Sequence, residues 1–226
     1  MPERSPDDRL HFTGDPDADQ LLAAEPMALL IGFALDQQVT VQKAFSGPLE
    51  LKRRIGTLDA RRIAEMPLPD LEAAFARRPA LHRFPAAMAR RVHDLAAHVR
   101  DEYGGRVDLL WREVPDASAL RRRIGLLPGF GEMKVNGLTA VLVKRLGVRP
   151  RGWREALPEH PTLGDVDSAQ ALEAYQAQKR AHKAELRAKV ATGAPARTSG
   201  GPTPQSGRIA CGNPAPRSAP RSARCR

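Results

Sequence analysis

Apolar residues recur at helical spacing in several separate stretches of this chain, and none alternates with polar residues as a half-buried strand requires. Met27 to Leu35 is an almost unbroken apolar run, which predicts a buried helix whose polar end, Asp36-Gln37-Gln38-Val39-Thr40, reaches solvent. Helical segments are predicted at Leu58 to Ala64, at Pro69 to Arg77 and from Arg83 through Leu95 to Tyr103, where Gly104-Gly105 stops the last one. Arg121 to Leu126 runs into a break at Pro128, and from Glu132 the residues Val135, Leu138, Leu142 and Val143 mark the inner face of another helix. Ser168 caps a final helix from Ala169 to about Ala188.

Composition sharpens this to an all-α domain. Aromatic residues are 4% of the chain, so the core must be built from Leu, Ala, Val and Ile. The 226 residues divide into a flexible N-terminus, 1–19, a helical domain, 20–189, and a disordered tail, 190–226, rich in Pro, Gly, Ser and Arg. Net charge is +10, but six of those charges are tail arginines unaccompanied by any acid. Basic groups that remain in the domain, Arg121-Arg122-Arg123 and Lys144-Arg145, flank the break at Pro128 and could neutralise phosphates. No hydrophobic run reaches transmembrane length, and residues 1–20 are too acidic and polar for a signal peptide, so a cytoplasmic monomer without membrane contact is expected, nucleoid-associated if prokaryotic.

The break itself carries the candidate chemistry. Leu126-Leu127-Pro128-Gly129-Phe130-Gly131 forms a hairpin, 127–131, between two helices. Gly129 and Gly131 can adopt backbone angles that other residues resist and bring no side chain between the backbone N–H groups and an anion. The following helix offers its positive end to the same anion, with Lys134 in its first turn. Such a device grips a phosphate without reading a base.

This segment resembles the helix-hairpin-helix of the base-excision DNA glycosylases related to endonuclease III, the HhH-GPD superfamily. The run ending in Gln37-Gln38-Val39-Thr40 is similar to an early helix of those enzymes, and the intervening segments keep the family order over roughly residues 20 to 148. The resemblance implies a two-lobed helical fold and a double-stranded DNA partner, damaged or mismatched. It implies that Gln38 fills the space left by an extruded base, that Gly129, Phe130, Gly131 and Lys134 hold the DNA backbone, and that hairpin carbonyls can hold a monovalent cation.

Three departures limit what carries over. Met133 stands where bifunctional members have their nucleophilic lysine, and Lys134, one residue or about 100° further round the helix, is expected to face the DNA backbone rather than the pocket. AP-lyase activity is therefore not expected. The family aspartate falls within Arg149–Arg154, where no carboxylate stands; Asp36, Asp165 and Asp167, with Glu155 near the gap, are the weak substitutes, each with surface or capping roles as the plainer reading. Cys211 and Cys225 are the only cysteines, so the four thiolates of a [4Fe-4S] cluster are absent, and no metal site is expected. These features lead to a DNA repair protein that hydrolyses a glycosidic bond with water, or to a lesion-binding protein that has lost catalysis. A sequence-reading helix-turn-helix factor is the weaker third reading.

Overall fold

Helix boundaries follow from caps written into the sequence. In the computed structural model, which describes residues 9–192 except the side chains of 182, 183 and 185–192, the helices are α1 (Pro16–Ala24), α2 (Pro26–Leu35), α3 (Val41–Ile55), α4 (Ala60–Glu65), α5 (Leu68–Ala76), α6 (Pro85–Tyr103), α7 (Ala117–Gly125), α8 (Glu132–Lys144) and α9 (Ala169–Thr192). Asp15, Thr40, Asp59 and Asp116 each accept a hydrogen bond from an N–H in the first turn of α1, α3, α4 and α7, satisfying donors the helix leaves free. Gly56 and Gly104 end α3 and α6 in the left-handed conformation. Short 3-10 turns at Val107–Leu110 and Leu163–Asp165 complete the elements, and no β-strand occurs among the described residues. The all-α architecture is as expected.

The folded part begins earlier than residue 20. Leu10 and Phe12 are fully buried, and Asp19, itself buried, accepts hydrogen bonds from the Phe12 and Thr13 N–H groups and the Thr13 hydroxyl. Polar spacing hid this anchor, because one carboxylate takes three donors from a loop that looks solvated. The chain divides after Glu185 into a first unit and a second, of which only the end of α9 is described; the tail beyond Thr192, including both cysteines, lies outside the described residues.

Helix α2 is the hub of the core. Every residue from Met27 to Leu35 is buried, which explains its apolar run without a membrane. No single helix among the described residues is long and apolar enough to cross one. α3 was not legible as a helix, because Ser46-Gly47-Pro48 reads as a breaker. Gly47 is what allows α3 against α2: a Cβ there would stand 2.6 Å from Leu35 Cδ1. Gly32 returns the approach, since a Cβ there would meet the Phe45 ring at 2.5 Å. Phe45 also stacks edge-on with Phe12 and Phe33, at 5.1 and 5.2 Å between ring centres.

Buried or half-buried arginines fasten the outer helices. Arg54 on α3 donates to the carbonyls of Ala74, Arg77 and Pro79, capping the end of α5. Arg123 donates to the carbonyls of Leu109 and Arg112, and Arg121 to that of Ala156. Two members of the Arg121-Arg122-Arg123 triplet thus bind the protein's own backbone; Arg122 alone is exposed.

Candidate functional site

The hairpin closes as a tight turn with unused donors at its tip. Gly129 has a φ of 77°, the left-handed region, and Phe130 N–H donates to Leu127 O. Gly131 is the extended N-cap of α8 and receives no side-chain cap; the N–H groups of Lys134 and Val135 turn back to its carbonyl. Gly131, Glu132 and Met133 are left as helix-end donors without an intrahelical acceptor, and they form the positive end of the α8 dipole.

Phe130 differs from expectation. Its side chain is 5% exposed, packed 6.5 Å from the Phe33 ring, and its N–H is consumed inside the turn. It anchors the hairpin to α2 rather than offering a phosphate contact of its own, because burying the ring against Phe33 outweighs exposing it.

Positions 133 and 134 are also reversed. Met133 is 71% exposed, whereas Lys134 is half-buried and its Nζ donates to Ala34 O at 3.2 Å, near the C-terminal end of α2. The amine also lies 5.5 Å from the centre of the Phe130 ring. Burial, with the charge of Arg91 adding to it, pushes the Lys134 amine down to about 8, and Asp36 opposes the change only in part. The rotation of one residue is real, but α8 presents position 134 to α2 and position 133 to solvent.

This contact joins the two stretches singled out in the sequence, 100 residues apart at Lys134 and Ala34. Asp36 ends α2, and Gln37 N–H donates to Leu35 O at 2.7 Å in a tight turn. Gln38 then takes a φ of 55°, unusual for a residue with a side chain, and is exposed. His82, 2% exposed, holds this turn: its Nε2 donates to Gln37 O at 2.8 Å, while Nδ1 accepts from Phe84 N–H at 3.1 Å. That pattern requires the neutral ring. Burial, set against the Gln37 hydrogen bond and aided by the charges of Arg83, Arg91 and Lys43, lowers its pKa. Arg91 connects turn and hairpin, since its side chain packs against Gly129, where a Cβ would meet Nε at 3.0 Å.

Three large hydrophobic side chains are exposed among the described residues, Leu126, Met133 and Phe84. Leu126 and Met133 flank the hairpin, and Phe84 follows the histidine that holds the glutamine turn.

The candidate acids take different places. Asp36 is half-buried, with Oδ2 3.6 Å from Lys179 Nζ on α9. Asp165 is the third residue of a capping box with Thr162, accepting from its N–H and hydroxyl, and pairs with Lys144 at 2.5 Å. Asp167 is exposed and lines a shallow depression with Asp165, Lys144, Arg149 and Trp153. Glu155 is exposed. Tyr175 on α9 links the first two: burial, with Asp36 and Asp165 adding to it, pushes its phenol up to about 12. At residues 149–154, Trp153 carries the guanidinium groups of Arg154 and Arg149 at 4.5 and 5.7 Å from its ring centre.

Sequence reasoning did not find His82, Arg91, Tyr175 or Lys179. Their positions in Leu81-His82-Arg83-Phe84 and on α6 and α9 follow no periodic rule, and only the packing of α6 and α9 beside the end of α2 gives them a role. Among the described residues no group of three His, Cys, Asp or Glu side chains is placed to hold a metal ion. Compared with protein-family models, with curated proteins and with solved structures, the chain matches none.

Proposed function

We propose that this protein binds damaged or mismatched duplex DNA in the manner of a two-lobed helix-hairpin-helix glycosylase and removes a base by hydrolysis. The observation that carries this reading is the Lys134 contact with Ala34, which brings the phosphate-gripping hairpin beside the Gln37–Gln38 turn. The free N–H groups at the start of α8 take a backbone phosphate, and exposed Gln38 enters the space beside an extruded nucleotide. Extrusion costs a few kcal/mol and least at damaged or mispaired bases, which supplies selectivity before chemistry. Asp36 is the carboxylate nearest this turn in the chain. In the reaction water adds to the sugar C1′, the base leaves with the bonding electron pair, and Asp36 takes a proton from the water. Such a substrate places the protein in the cytoplasm, at the nucleoid in a prokaryote.

A second reading, a lesion-binding protein without catalysis, is favoured by the pairing of Asp36 with Lys179 and of Asp165 with Lys144. Single-turnover base release from duplexes carrying uracil, hypoxanthine, alkylated purines, oxidised guanine or mismatches separates the two. Release that disappears in Asp36→Asn and in Gly131→Asp supports hydrolysis; binding without release on every duplex supports the second reading. Strand cleavage with a borohydride-trapped adduct that is lost in Lys134→Met would replace water by the Lys134 amine as nucleophile.

A further inference from the structure

The turn between α2 and α3 feels four basic side chains, whose charge Asp36 offsets only in part. Lys43 lies in the first turn of α3, Arg83 and Arg91 come from the start and the body of the α6 segment, and Lys134 reaches in from α8. Among the described residues none of the four enters an ion pair. Arg91 Nη1 is buried with no hydrogen-bond partner. Asp36, the acid that acts on Lys134, lies against Lys179. His82, at the centre, is held neutral by its two hydrogen bonds and contributes no counter-charge.

We infer that Lys43, Arg83, Arg91 and Lys134 border an anion site for a phosphate group at the Gln37–Gln38 turn, beside the backbone donors of the hairpin. Arg91 and Lys134 are half-buried, whereas Lys43 and Arg83 are exposed; half-buried like charges are costly unless a counter-ion joins them, and a tetrahedral anion with several acceptor oxygens can serve several donors together. The same charges depress the His82 pKa, Arg83, Arg91 and Lys43 acting after burial, and Arg91 acts likewise on Lys134. An anion bound here therefore reverses part of both shifts, which makes His82 a built-in reporter. The occupant is a phosphodiester of the DNA backbone next to Gln38 or a free phosphate. The site does not depend on base removal.

The test is titration of the full-length protein with inorganic phosphate at constant ionic strength, using chloride as the reference salt. We expect a saturable rise in the melting temperature and an upward shift of the His82 imidazole titration followed by NMR. Arg83→Gln and Lys43→Gln, both at exposed positions that leave the fold intact, are each expected to weaken phosphate binding about tenfold, the loss of one charge-assisted hydrogen bond. No saturable response, or an undiminished response in the double variant, overturns the site. Displacement of the phosphate by an undamaged duplex oligonucleotide identifies the backbone as the occupant; retention of phosphate beside bound duplex identifies a free phosphate. Phosphate binding in a protein that neither binds duplex nor releases a base would leave this site standing and remove the proposed function.

Discussion

Lys134 Nζ donates to the carbonyl oxygen of Ala34 across 3.2 Å, fixing the helix that follows the hairpin to the end of the helix that precedes Gln38. Burial first, and Arg91 second, lower the amine from its ordinary 10.5 to about 8. Between these values the folded protein has released a proton that the unfolded chain retains, so stability rises with pH from about 8. Tyr175 acts in the opposite sense above its ordinary 10, because its folded pKa of about 12 keeps a proton that the unfolded chain has lost. Denaturation midpoints should therefore climb from pH 8 to 10 and turn over above it. Lys134→Met should be more stable than the parent at pH 7 and lose the climb.

Gly129 and Gly131 should respond differently to substitution. Gly129 needs its positive φ, and a Cβ would press on Arg91, so Gly129→Ala should cost about 1–2 kcal/mol of stability. Gly131 has an ordinary φ of −79°, and a Cβ added there would have no atom within 4 Å, so Gly131→Asp should leave the melting temperature nearly unchanged. Its carboxylate would occupy the proposed phosphate position, and under the proposed function duplex binding should be lost. Loss of fold in Gly131→Asp, seen by circular dichroism, would refute this separation.

Gly164 and Gly32 test how the core is closed. A Cβ at Gly164 would meet the backbone carbon and oxygen of Ala140 at 2.6 Å, and backbone cannot rotate aside. At Gly32 the obstacle is the Phe45 ring, which can shift. Gly164→Ala should cost about 3 kcal/mol and Gly32→Ala about 1–2 kcal/mol in urea denaturation.

Asp165 is held by structural contacts, which separates it from the carboxylate proposed to act in hydrolysis. Burial opposes its ionisation, but hydrogen bonds from Lys144 and Thr162 prevail and hold its pKa below the ordinary value. Its contribution is thus present above the ordinary carboxylate pKa and disappears as pH falls through the lowered one. Asp165→Asn should cost roughly 1 kcal/mol at neutral pH, as loss of a capping residue does. Base release, if the proposed hydrolysis occurs, should persist in this variant under single turnover; its abolition would make Asp165, rather than Asp36, the general base.

The sequence by itself determined the helices whose signals are local. Apolar spacing marks α2 and α8, Gly104 ends α6, Ser168 caps α9, and Pro128 with its glycines marks the hairpin, because helical period, capping and positive φ each act within a few residues. α3 escaped, since Gly47-Pro48 signals a break locally and only contact with Leu35 gives Gly47 its reason. Tertiary structure alone decided which way each side chain of the site faces. The resemblance implied that Lys134 faces away from the protein; the packing of α8 on α2 instead turns the lysine inward and leaves Met133 in solvent. The same packing buries Phe130, assigns Arg121 and Arg123 to backbone carbonyls, and gathers His82 and Arg91 at the glutamine turn. These outcomes depend on distances between segments far apart in the chain, which the period of a single helix does not encode.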